Sequence, residues 1–492
     1  STVAAMSDRL GAGAMTNTLS DLGEADAFLV TGANPAEQHP VAFRSYLLPA
    51  IRNGTTLIHV DPRANDTTAA ADIHLPVRPG HDIPLLNGMA AVLVEEGLVD
   101  EAFLDRRTEG FGAFRASLDD VDVAERAALA GVDEDDLREA AVAYGEADRA
   151  AAFTGMGMSQ HRCGTDNVHA LINLALLTGN VGRRGTGVNP LRGQNNVQGA
   201  SDVGAMPNVL PGYRDVSDPE VRADVESVWD FEIPSEPGLT NVEVSHEIGG
   251  TIHGLYIMGE NPVMSEPDTN QVEKRMEELD FMVVQDVFPT ETAEYADVVL
   301  PATSWAERDG TVVNTDRRTQ RMRGVDKVYP NTKDDLEILC DVGNRLFGDG
   351  SFDFEGPEGV FEELRQVAPI FHGMTYDVLG EEGVHWPCYE PGDEGDAYLY
   401  EDGFTTESGL GRIEGVRHQP PKETPDEEYP LILTTGRIIE HYNTGTMSRR
   451  SETLTRVEPE NFVDVHPADA EEYGIEDGDY VTLKSRRGEI EV

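Results

Sequence analysis

A single arginine stands in a polar stretch of the chain where an anion could bind. The stretch is NPLRGQNNVQGASDVGAMPNVLPGY, residues 189–213, in which glycine, asparagine and glutamine surround Arg192. Its apolar residues follow neither the period of a strand nor that of a helix, so we expect a loop rather than a packed element. A planar guanidinium can hold a carboxylate through two charge-assisted hydrogen bonds. The many amide and backbone groups around it are typical of a loop that faces a polar ligand.

Two aspartates at the ends of apolar runs are further candidates for ligand binding. TTLIHVDPR (55–63) ends one predicted strand at Asp61, and FMVVQDVF (281–288) ends another at Asp286. An aspartate there can accept hydrogen bonds from a purine edge or a ribose, while a neighbouring Gly-Asn turn lets backbone N–H groups approach a pyrophosphate. The alternative is that these residues only cap helices and turns, as in any α/β fold.

The two aspartates belong to a pattern that occurs twice. FLVTGANPAEQHP (28–40) matches GLYIMGENPVMSEP (254–267), with Asn34 and Asn261 offset by 227 residues and the two aspartates offset by 225. A third pair, TAAADIHLP and TAEYADVVLP, follows in the same order. Three matches in register predict two homologous αβα (Rossmann-like) domains related by a pseudo-two-fold axis. Each would have a ligand crevice at the carboxyl ends of its strands, for two nucleotide-like ligands or one pseudo-symmetric ligand.

The chain is too long for a single hydrophobic core, and its pattern changes near residue 425. From there, short alternating runs with Asp-Gly and Arg-Gly turns predict a small β-barrel. Residues 389–428 are rich in glycine, proline and acidic residues and are interpreted as a connector. We therefore predict a first α/β domain at 1–190, a second at 191–400, and an incomplete β-barrel at 401–492.

The charge of the chain restricts its partners and its surroundings. It has 91 acidic and 38 basic residues, a net charge of −53 that is spread over every segment. A carboxylate surface of this kind stays hydrated when salt screens the repulsion, so we expect a halophilic, cytoplasmic protein. Nucleic acid is not an expected partner because its phosphates would be repelled. No apolar run reaches the length of a membrane span.

The longest motifs resemble those of a known family. GMGMSQHRCGTDNVHALINLALLTGNVGRRGTGVNPLRGQNNVQGASDVGAMPNVLPGY (155–213), VVQDVFPTETAEYADVVLPATSWAERDGT and TTGRIIEHYNTGTMSRR are similar to segments of the catalytic α subunit of molybdopterin-dependent formate dehydrogenases. The resemblance covers essentially the whole chain. It implies an oxidoreductase that holds molybdenum or tungsten between two molybdopterin guanine dinucleotides. Each α/β domain would bind one dinucleotide, and the barrel would close over the pterins.

The resemblance also implies which residues contact the substrate and the cofactor. It places Arg192 at the metal centre, where the guanidinium would orient formate with its C–H toward the metal, so that no usual general base is required. The alternative for Arg192 is a structural salt bridge. The residues that match the family's cofactor contacts are Gly32, Asn34, Glu37, Asp61, Arg63, Gly80 and Asp82 in the first half; Met156, Gln160, Gly193 and Gln194 near the pterin; Gly259, Asn261, Gln285, Asp286 and Asp335 in the second half; and Arg437, His441, Tyr442 and Asn443 in the barrel.

Part of the family pattern is expected outside this chain. In relatives a cysteine or selenocysteine followed by histidine lies just upstream of the segment that matches residues 1–17, after an N-terminal [4Fe-4S] domain. None of Cys163, Cys340 and Cys388 matches that ligand, so we predict no metal ligand within the chain. The intact parent protein is expected to oxidise formate to CO2 and to pass electrons to iron–sulfur or NAD-linked subunits. The present fragment, which also lacks part of the barrel, is expected to be inactive.

Two other functions are alternatives to formate oxidation. A sister enzyme such as an assimilatory nitrate reductase would keep the fold and the cofactor, but an oxo-anion reductase does not require an arginine within LRGQNNVQG. A structural subunit of a respiratory complex that has lost its cofactor would have degenerate pterin sites. The presence of Asp61, Gln285, Asp286 and Arg192 argues against such a loss.

We predict that low salt destabilises the protein. Lowering the salt from about 1 M to about 0.1 M lengthens the Debye length from roughly 3 Å to 10 Å, so that repulsion between surface carboxylates is no longer screened. The melting temperature should therefore fall, as measured by calorimetry at constant pH. Equal melting temperatures at both salt concentrations would contradict the halophilic interpretation.

Overall fold

The computed structural model describes every residue, Ser1–Val492, and contains helices and strands in alternation. The strands are Ala27–Thr31 (β1), Thr56–Val60 (β2), Ile73–Leu75 (β3), Thr108–Glu109 (β4), Ala150–Thr154 (β5), Gly187–Pro190 (β6), Val209–Leu210 (β7), Arg214–Asp215 (β8), Gly254–Met258 (β9), Phe281–Asp286 (β10), Val298–Pro301 (β11), Gly310–Val313 (β12), Arg318–Met322 (β13), Val384–His385 (β14), Gly411–Arg412 (β15), Thr482–Lys484 (β16) and Glu489–Glu491 (β17). The α-helices are Thr2–Leu10 (α1), Pro35–Gln38 (α2), Pro40–Ala42 (α3), Leu48–Arg52 (α4), Asp82–Glu95 (α5), Glu101–Arg107 (α6), Phe111–Leu118 (α7), Val123–Ala130 (α8), Glu134–Glu146 (α9), Met156–Ser159 (α10), Gly164–Leu177 (α11), Val197–Asp202 (α12), Pro219–Trp229 (α13), Asn241–Glu247 (α14), Pro262–Ser265 (α15), Thr269–Met276 (α16), Asp335–Phe347 (α17), Gly356–Val367 (α18), Tyr376–Leu379 (α19), Glu452–Val457 (α20) and Pro467–Tyr473 (α21). None of these helices combines the length and the hydropathy needed to cross a bilayer.

Contacts divide the chain into two compact units. One unit comprises 1–237, 310–322 and 355–424; the other comprises 238–309, 323–354 and 425–492. These bounds differ from the predicted ones at 190 and 400, because the hairpin β12–β13 and the segment after residue 355 belong to the unit of the first sheet. The division into three domains stays a prediction.

The first unit contains a parallel five-stranded sheet in the order β3-β2-β1-β5-β6. All five residues of β1 are buried, as expected for a parallel sheet that is covered on both faces. Leu29 lies in a core built with α5, α9 and α11, whereas Phe28 and Val30 point to a second core that contains Phe43 and Leu47. The two apolar faces of this strand therefore fix helices on both sides of the sheet.

The second unit contains a parallel three-stranded sheet in the order β11-β10-β9. Its core includes Ile257 of β9 and Val284 of β10, which pack with Val272 and Met276 of α16. The order repeats that of β3, β2 and β1 in the first unit. The middle strand of each sheet thus leads to one of the two aspartates predicted from the sequence: Asp61 directly follows β2, and Asp286 is the last residue of β10.

The asparagine turns of the two sheets make the same hydrogen bonds. The Thr67 hydroxyl donates to Asn34 Oδ1 at 2.7 Å, and the Thr292 hydroxyl donates to Asn261 Oδ1 at 2.7 Å. Each hydroxyl also accepts a backbone N–H two residues after its asparagine, at 3.1 and 3.2 Å. The backbone angles agree as well, with φ −117° and ψ 74° at Asn34 and φ −124° and ψ 71° at Asn261. This agreement supports the internal repeat.

The two aspartates also occupy matching turns. Asp61 Oδ1 accepts the N–H of Arg63 at 2.9 Å, and Asp286 Oδ1 accepts the N–H of Phe288 at 3.2 Å. Each carboxylate therefore closes an Asx turn at the carboxyl end of its strand. The turn-capping role that the sequence offered as an alternative is therefore present, and it uses one carboxylate oxygen of each aspartate.

Two expectations about irregular segments were wrong. The segment 389–428 is not a free connector, because Leu399, Phe404 and Ile413 are buried in the core of the first unit. The polar stretch 189–213 is not a loop throughout, since it contains β7 and α12. Helix α12 escaped detection because it is fixed by buried polar side chains rather than by an apolar face.

The C-terminal region has less sheet than predicted. Thr482–Lys484 and Glu489–Glu491 form an antiparallel hairpin, and no other strand lies between residue 425 and the end of the chain. Leu431 and Leu433 are exposed, so no partner surface in the structure pairs with this apolar run. The barrel stays a prediction.

We predict that Thr67→Val and Thr292→Val destabilise their own units to similar extents. Both hydroxyls are fully buried, and each substitution leaves an asparagine oxygen and a backbone N–H with one partner fewer. The expected loss is about 1–3 kcal/mol in the free energy of unfolding, measured locally by hydrogen exchange. Thr332→Val, at an exposed turn, is the control. A loss at only one of the two threonines would contradict their equivalence.

Candidate active site

Arg192 lies two residues beyond β6, at the carboxyl end of the first parallel sheet. Its backbone is anchored on both sides: the N–H donates to Thr315 Oγ1 at 3.0 Å, and the carbonyl accepts from His39 Nε2 at 3.0 Å. Thr315 in turn donates to the carbonyl of Pro190 at 3.1 Å. Segments distant in sequence therefore fix the point at which the arginine side chain leaves the loop.

The guanidinium of Arg192 bonds to neutral oxygens. Nη2 donates to the Gly13 carbonyl at 2.6 Å, and Nε donates to Gln198 Oε1 at 3.2 Å. Because a guanidinium has five N–H groups, these bonds leave three for another acceptor. Burial lowers the pKa of Arg192, while the charges of Tyr213 and Asp202 raise it. The structural salt bridge considered from sequence is thus replaced by contacts with uncharged groups.

A buried polar cluster stands behind Gln198. Its Nε2 donates to Asp202 Oδ1 at 2.7 Å and to the Tyr213 oxygen at 2.9 Å, and the Tyr213 hydroxyl donates to Asp202 Oδ1 at 2.7 Å. Trp386 Nε1 donates to Asp202 Oδ2 at 2.7 Å. Burial raises the pKa of Asp202 to about 6, although these bonds and the Arg192 charge act in the opposite direction. The carboxylate is therefore fully engaged by donors.

Four predicted pterin contacts lie in the same unit as Arg192. Met156 begins α10 directly after β5, and Gln160 is exposed just beyond that helix. Gly193 is exposed, with no atom within 4 Å of the position of a Cβ, and Gln194 is half-buried. The ends of β5 and β6 thus present these residues at one edge of the sheet.

No group of three or more histidine, cysteine, aspartate or glutamate residues in the structure is arranged so that it could hold a metal ion.

The first crevice has a donor ready for a ligand. Asn34 is buried, its Oδ1 is bonded to Thr67, and its Nδ2 has no hydrogen-bond partner. An unpaired buried donor is costly, so a ligand oxygen at this position would relieve the cost. Glu37 follows on α2 and is half-buried, as are Asp61 and Arg63 beyond β2.

Gly32, Gly80 and Asp82 are closely packed against other parts of the protein. A Cβ on Gly32 would lie 2.3 Å from Met158 N, and one on Gly80 would lie 2.6 Å from Pro421 Cγ, so both positions need glycine for packing. Asp82 is buried at the first residue of α5. Burial raises its pKa to about 6, opposed by His161. Their predicted contacts with a cofactor stay predictions.

The second crevice contains a chain of hydrogen-bonded side chains. Tyr256 OH donates to Gln285 Oε1 at 2.5 Å, and Gln285 Nε2 donates to Asp335 Oδ1 at 2.6 Å. Arg308 pairs with the other oxygen of Asp335. Gly259 has a φ of +63° and open space at its Cβ position, so its backbone can be approached closely.

The predicted barrel turn is organised by its own residues. Arg437 Nη1 donates to Asn443 Oδ1 at 2.6 Å, and Tyr442 is 43% exposed. His441 is buried, and its Nε2 donates to the Glu458 carbonyl at 2.8 Å. His441 therefore stabilises the turn through its contact with Glu458, and its predicted contact with a cofactor stays a prediction.

Sequence reasoning missed the cluster around Asp202. Gln198 and Asp202 stand four residues apart on α12, which is a recognisable spacing for two side chains on one helix face. Trp386 carries no such signal, because it reaches Asp202 from 184 residues away in the chain. Thr315 was missed for the same reason.

Comparisons with known proteins agree on one family. The Molybdopterin oxidoreductase family model matches residues 2–345, and the Molydopterin dinucleotide binding domain matches residues 431–492. The "F420-dependent formate dehydrogenase subunit alpha" of Methanocaldococcus jannaschii is 45% identical over 489 residues, which are 99% of this chain and 72% of that protein. The "Assimilatory nitrate reductase catalytic subunit" of Bacillus subtilis is 36% identical, covering 97% of this chain and 69% of that protein. The structure of acetylene hydratase from Pelobacter acetylenicus superposes with a TM-score of 0.75 at 18% identity, covering 100% of this chain and 71% of that one.

We predict that Asp202 makes the protein less stable as the pH rises from about 4 to 6. The folded protein holds the Asp202 proton up to a pKa of about 6, whereas the unfolded chain releases it near the ordinary value of about 3.9. The folded state binds more protons in this window, so the free energy of unfolding falls by up to about 3 kcal/mol and then stays constant above it. Asp202→Asn should lose this slope, while the exposed Asp105→Asn should keep it. An unchanged slope in Asp202→Asn, measured by denaturant unfolding, would refute the assignment.

Proposed function

Because this chain belongs to the molybdopterin oxidoreductase family, we propose that it is the catalytic subunit of a formate dehydrogenase. The reaction would convert formate to CO2 with release of one proton and two electrons. The observation that carries the proposal is Arg192, which is half-buried, held by neutral oxygens, and left with donors for an anion. The higher identity to a formate dehydrogenase than to a nitrate reductase, 45% against 36%, supports the same choice.

Formate suits this arginine for chemical reasons. It is the smallest carboxylate, and its two oxygens match the paired N–H groups of a guanidinium. Two-point binding fixes the direction of the only C–H bond, which lies opposite the oxygens. The residues of this chain would therefore bind and orient the anion rather than remove its proton with an ordinary base.

We propose two molybdopterin guanine dinucleotides with molybdenum or tungsten as the cofactor. When bound, the metal centre supplies a two-electron acceptor. Two features fit such a ligand: the unpaired Nδ2 of Asn34 in the first crevice and the open backbone at Gly259 in the second. The match to a dinucleotide-binding domain at 431–492 supports the assignment. Electrons would pass to a [4Fe-4S] cluster and then to iron–sulfur or NAD-linked subunits.

The finer architecture is part of the proposal. Two homologous αβα domains, each with one dinucleotide, are supported by the matching asparagine and aspartate turns of the two sheets. A C-terminal barrel domain is supported by the match at 431–492. The cytoplasmic location and the salt-rich surroundings are proposed from the net charge of −53.

The alternatives are less well supported. A nitrate reductase would share the fold and the cofactor, and Arg192 within LRGQNNVQG is the feature that favours a carboxylate substrate. A cofactor-less subunit of a respiratory complex would have no use for an unpaired buried donor at Asn34. The two can be separated from our proposal by assaying formate and nitrate with the same metal-loaded enzyme.

We predict that Arg192→Lys lowers kcat/KM for formate by about one to two decades. The lysine keeps the charge but loses the planar two-point contact, and one charge-assisted bond is worth roughly 1.5–3 kcal/mol. Arg192→Met should lower it further while the molybdenum and pterin contents stay near normal. Arg138→Lys, at an exposed ion pair with Glu95, is the matched control and should retain full activity.

Two results would overturn the proposed role. Formate oxidation close to wild type in Arg192→Met would show that another group binds the substrate. A holoenzyme that reduces nitrate and ignores formate would refute the function itself.

A further inference from the structure

We propose that Gln198 is a positioning residue that holds Arg192 in place without neutralising it, so that the guanidinium stays available for a monoanion. The inference rests on the proposed function and adds a residue to it. Its basis is the order of groups in space: the Arg192 guanidinium, the Gln198 amide, and then the Asp202 carboxylate. A neutral amide thus stands between the cation and its buried counter-charge.

The orientation of the Gln198 amide is fixed by the cluster behind it. An ionised Asp202 carboxylate has no proton to donate, so it acts only as an acceptor. It accepts hydrogen bonds from Gln198 Nε2 at 2.7 Å and from the Tyr213 hydroxyl at 2.7 Å. The Tyr213 oxygen also lies 2.9 Å from Gln198 Nε2, so the amino group of Gln198 faces two acceptor oxygens on its buried side. Its oxygen Oε1 therefore faces Arg192 Nε, at 3.2 Å.

Asp202 is itself fixed by a residue from a distant segment. Trp386 Nε1 donates to its second oxygen at 2.7 Å, and Trp386 is 2% exposed. The carboxylate therefore cannot rotate to present both oxygens to Gln198. Burial of Asp202 and of Gln198 excludes water, so the amide has no other acceptor to turn toward.

Other arginines of this protein show what the amide prevents. Arg138 pairs with Glu95 at 2.9 Å, Arg149 pairs with Glu24 at 2.7 Å, and Arg214 pairs with Asp224 at 2.7 Å. In a chain with 91 acidic residues, an arginine commonly forms a direct ion pair with a carboxylate. A carboxylate in direct contact with Arg192 would compete with the substrate for the same donors.

The test is the comparison of Gln198→Glu with Gln198→Met in the holoenzyme. If Gln198 served only to anchor the side chain, glutamate would be the better acceptor for an arginine, and Gln198→Glu would be milder than Gln198→Met. Our proposal predicts the reverse order: KM for formate should rise by about 10- to 100-fold in Gln198→Glu with a smaller change in kcat, and by less in Gln198→Met. Gln366→Glu, on the exposed face of α18, is the control for the added charge.

A second variant tests the orientation without touching Arg192. Asp202→Asn replaces one acceptor oxygen with a donor, so the Gln198 amide can turn its oxygen to Asn and its amino group to the arginine. KM for formate should rise by about tenfold, with pterin content unchanged.

A third measurement does not need the metal. Modification of Arg192 by phenylglyoxal, followed by mass spectrometry of its peptide in cofactor-free protein, should be slowed by formate in wild type but not in Gln198→Glu. A KM within twofold of wild type in loaded Gln198→Glu, or retained protection by formate, would overturn the proposal while leaving the function standing. Wild-type enzyme that does not oxidise formate would instead refute the proposed function. In that case, the role of Gln198 would still be supported if nitrate slowed the modification of Arg192 in the wild type but not in Gln198→Glu.

Discussion

The candidate site depends on keeping a guanidinium charged in a half-buried place without a carboxylate partner. Removing a charge from water is costly, and most proteins offset that cost with direct ion pairs. Here the cost is offset by hydrogen bonds to the Gly13 carbonyl and the Gln198 amide, and by the Asp202 carboxylate, which lies behind Gln198 and does not contact the guanidinium directly. Such an arrangement stabilises the cation and leaves it able to bind an incoming anion.

This constraint explains why distant segments converge on one loop. The Arg192 backbone is held by Thr315 and His39, and the amide cluster is closed by Trp386. None of these contacts is local, so the loop acquires its shape only once the first unit has folded. The conformational entropy that is lost when the polar loop around Arg192 becomes ordered is therefore offset by the packing of the first unit's core.

The repeated sheets show how one framework can serve two different sites. Both use an asparagine fixed by a buried threonine, but Asn261 Nδ2 donates to Glu291 at 2.8 Å whereas Asn34 Nδ2 is unpaired. The second unit also has the chain from Gln285 to Asp335 described above. We infer that the common turns maintain the crevices and that the differing side chains decide what each crevice contacts.

The sequence was sufficient for features that depend on local patterns. Apolar runs predicted the strands that lead to Asp61 and Asp286, and the similar offsets of 227 and 225 residues predicted the repeated turns. Helix α12 was missed because its buried residues, Gln198, Gly199 and Asp202, include no large apolar side chain. The contribution of 389–428 to the core was missed because scattered apolar residues such as Leu399 follow no period. The Trp386 contact joins residues 184 positions apart, a relation that no local pattern contains.

The most direct test of the account is an experimental structure of the metal-loaded enzyme with formate or azide bound. We predict that the anion lies within about 3 Å of the Arg192 guanidinium, with Gln198 Oε1 still facing Nε and Asp202 still behind the amide. An anion bound away from Arg192, or a carboxylate of this chain in direct contact with its guanidinium, would contradict the central claim.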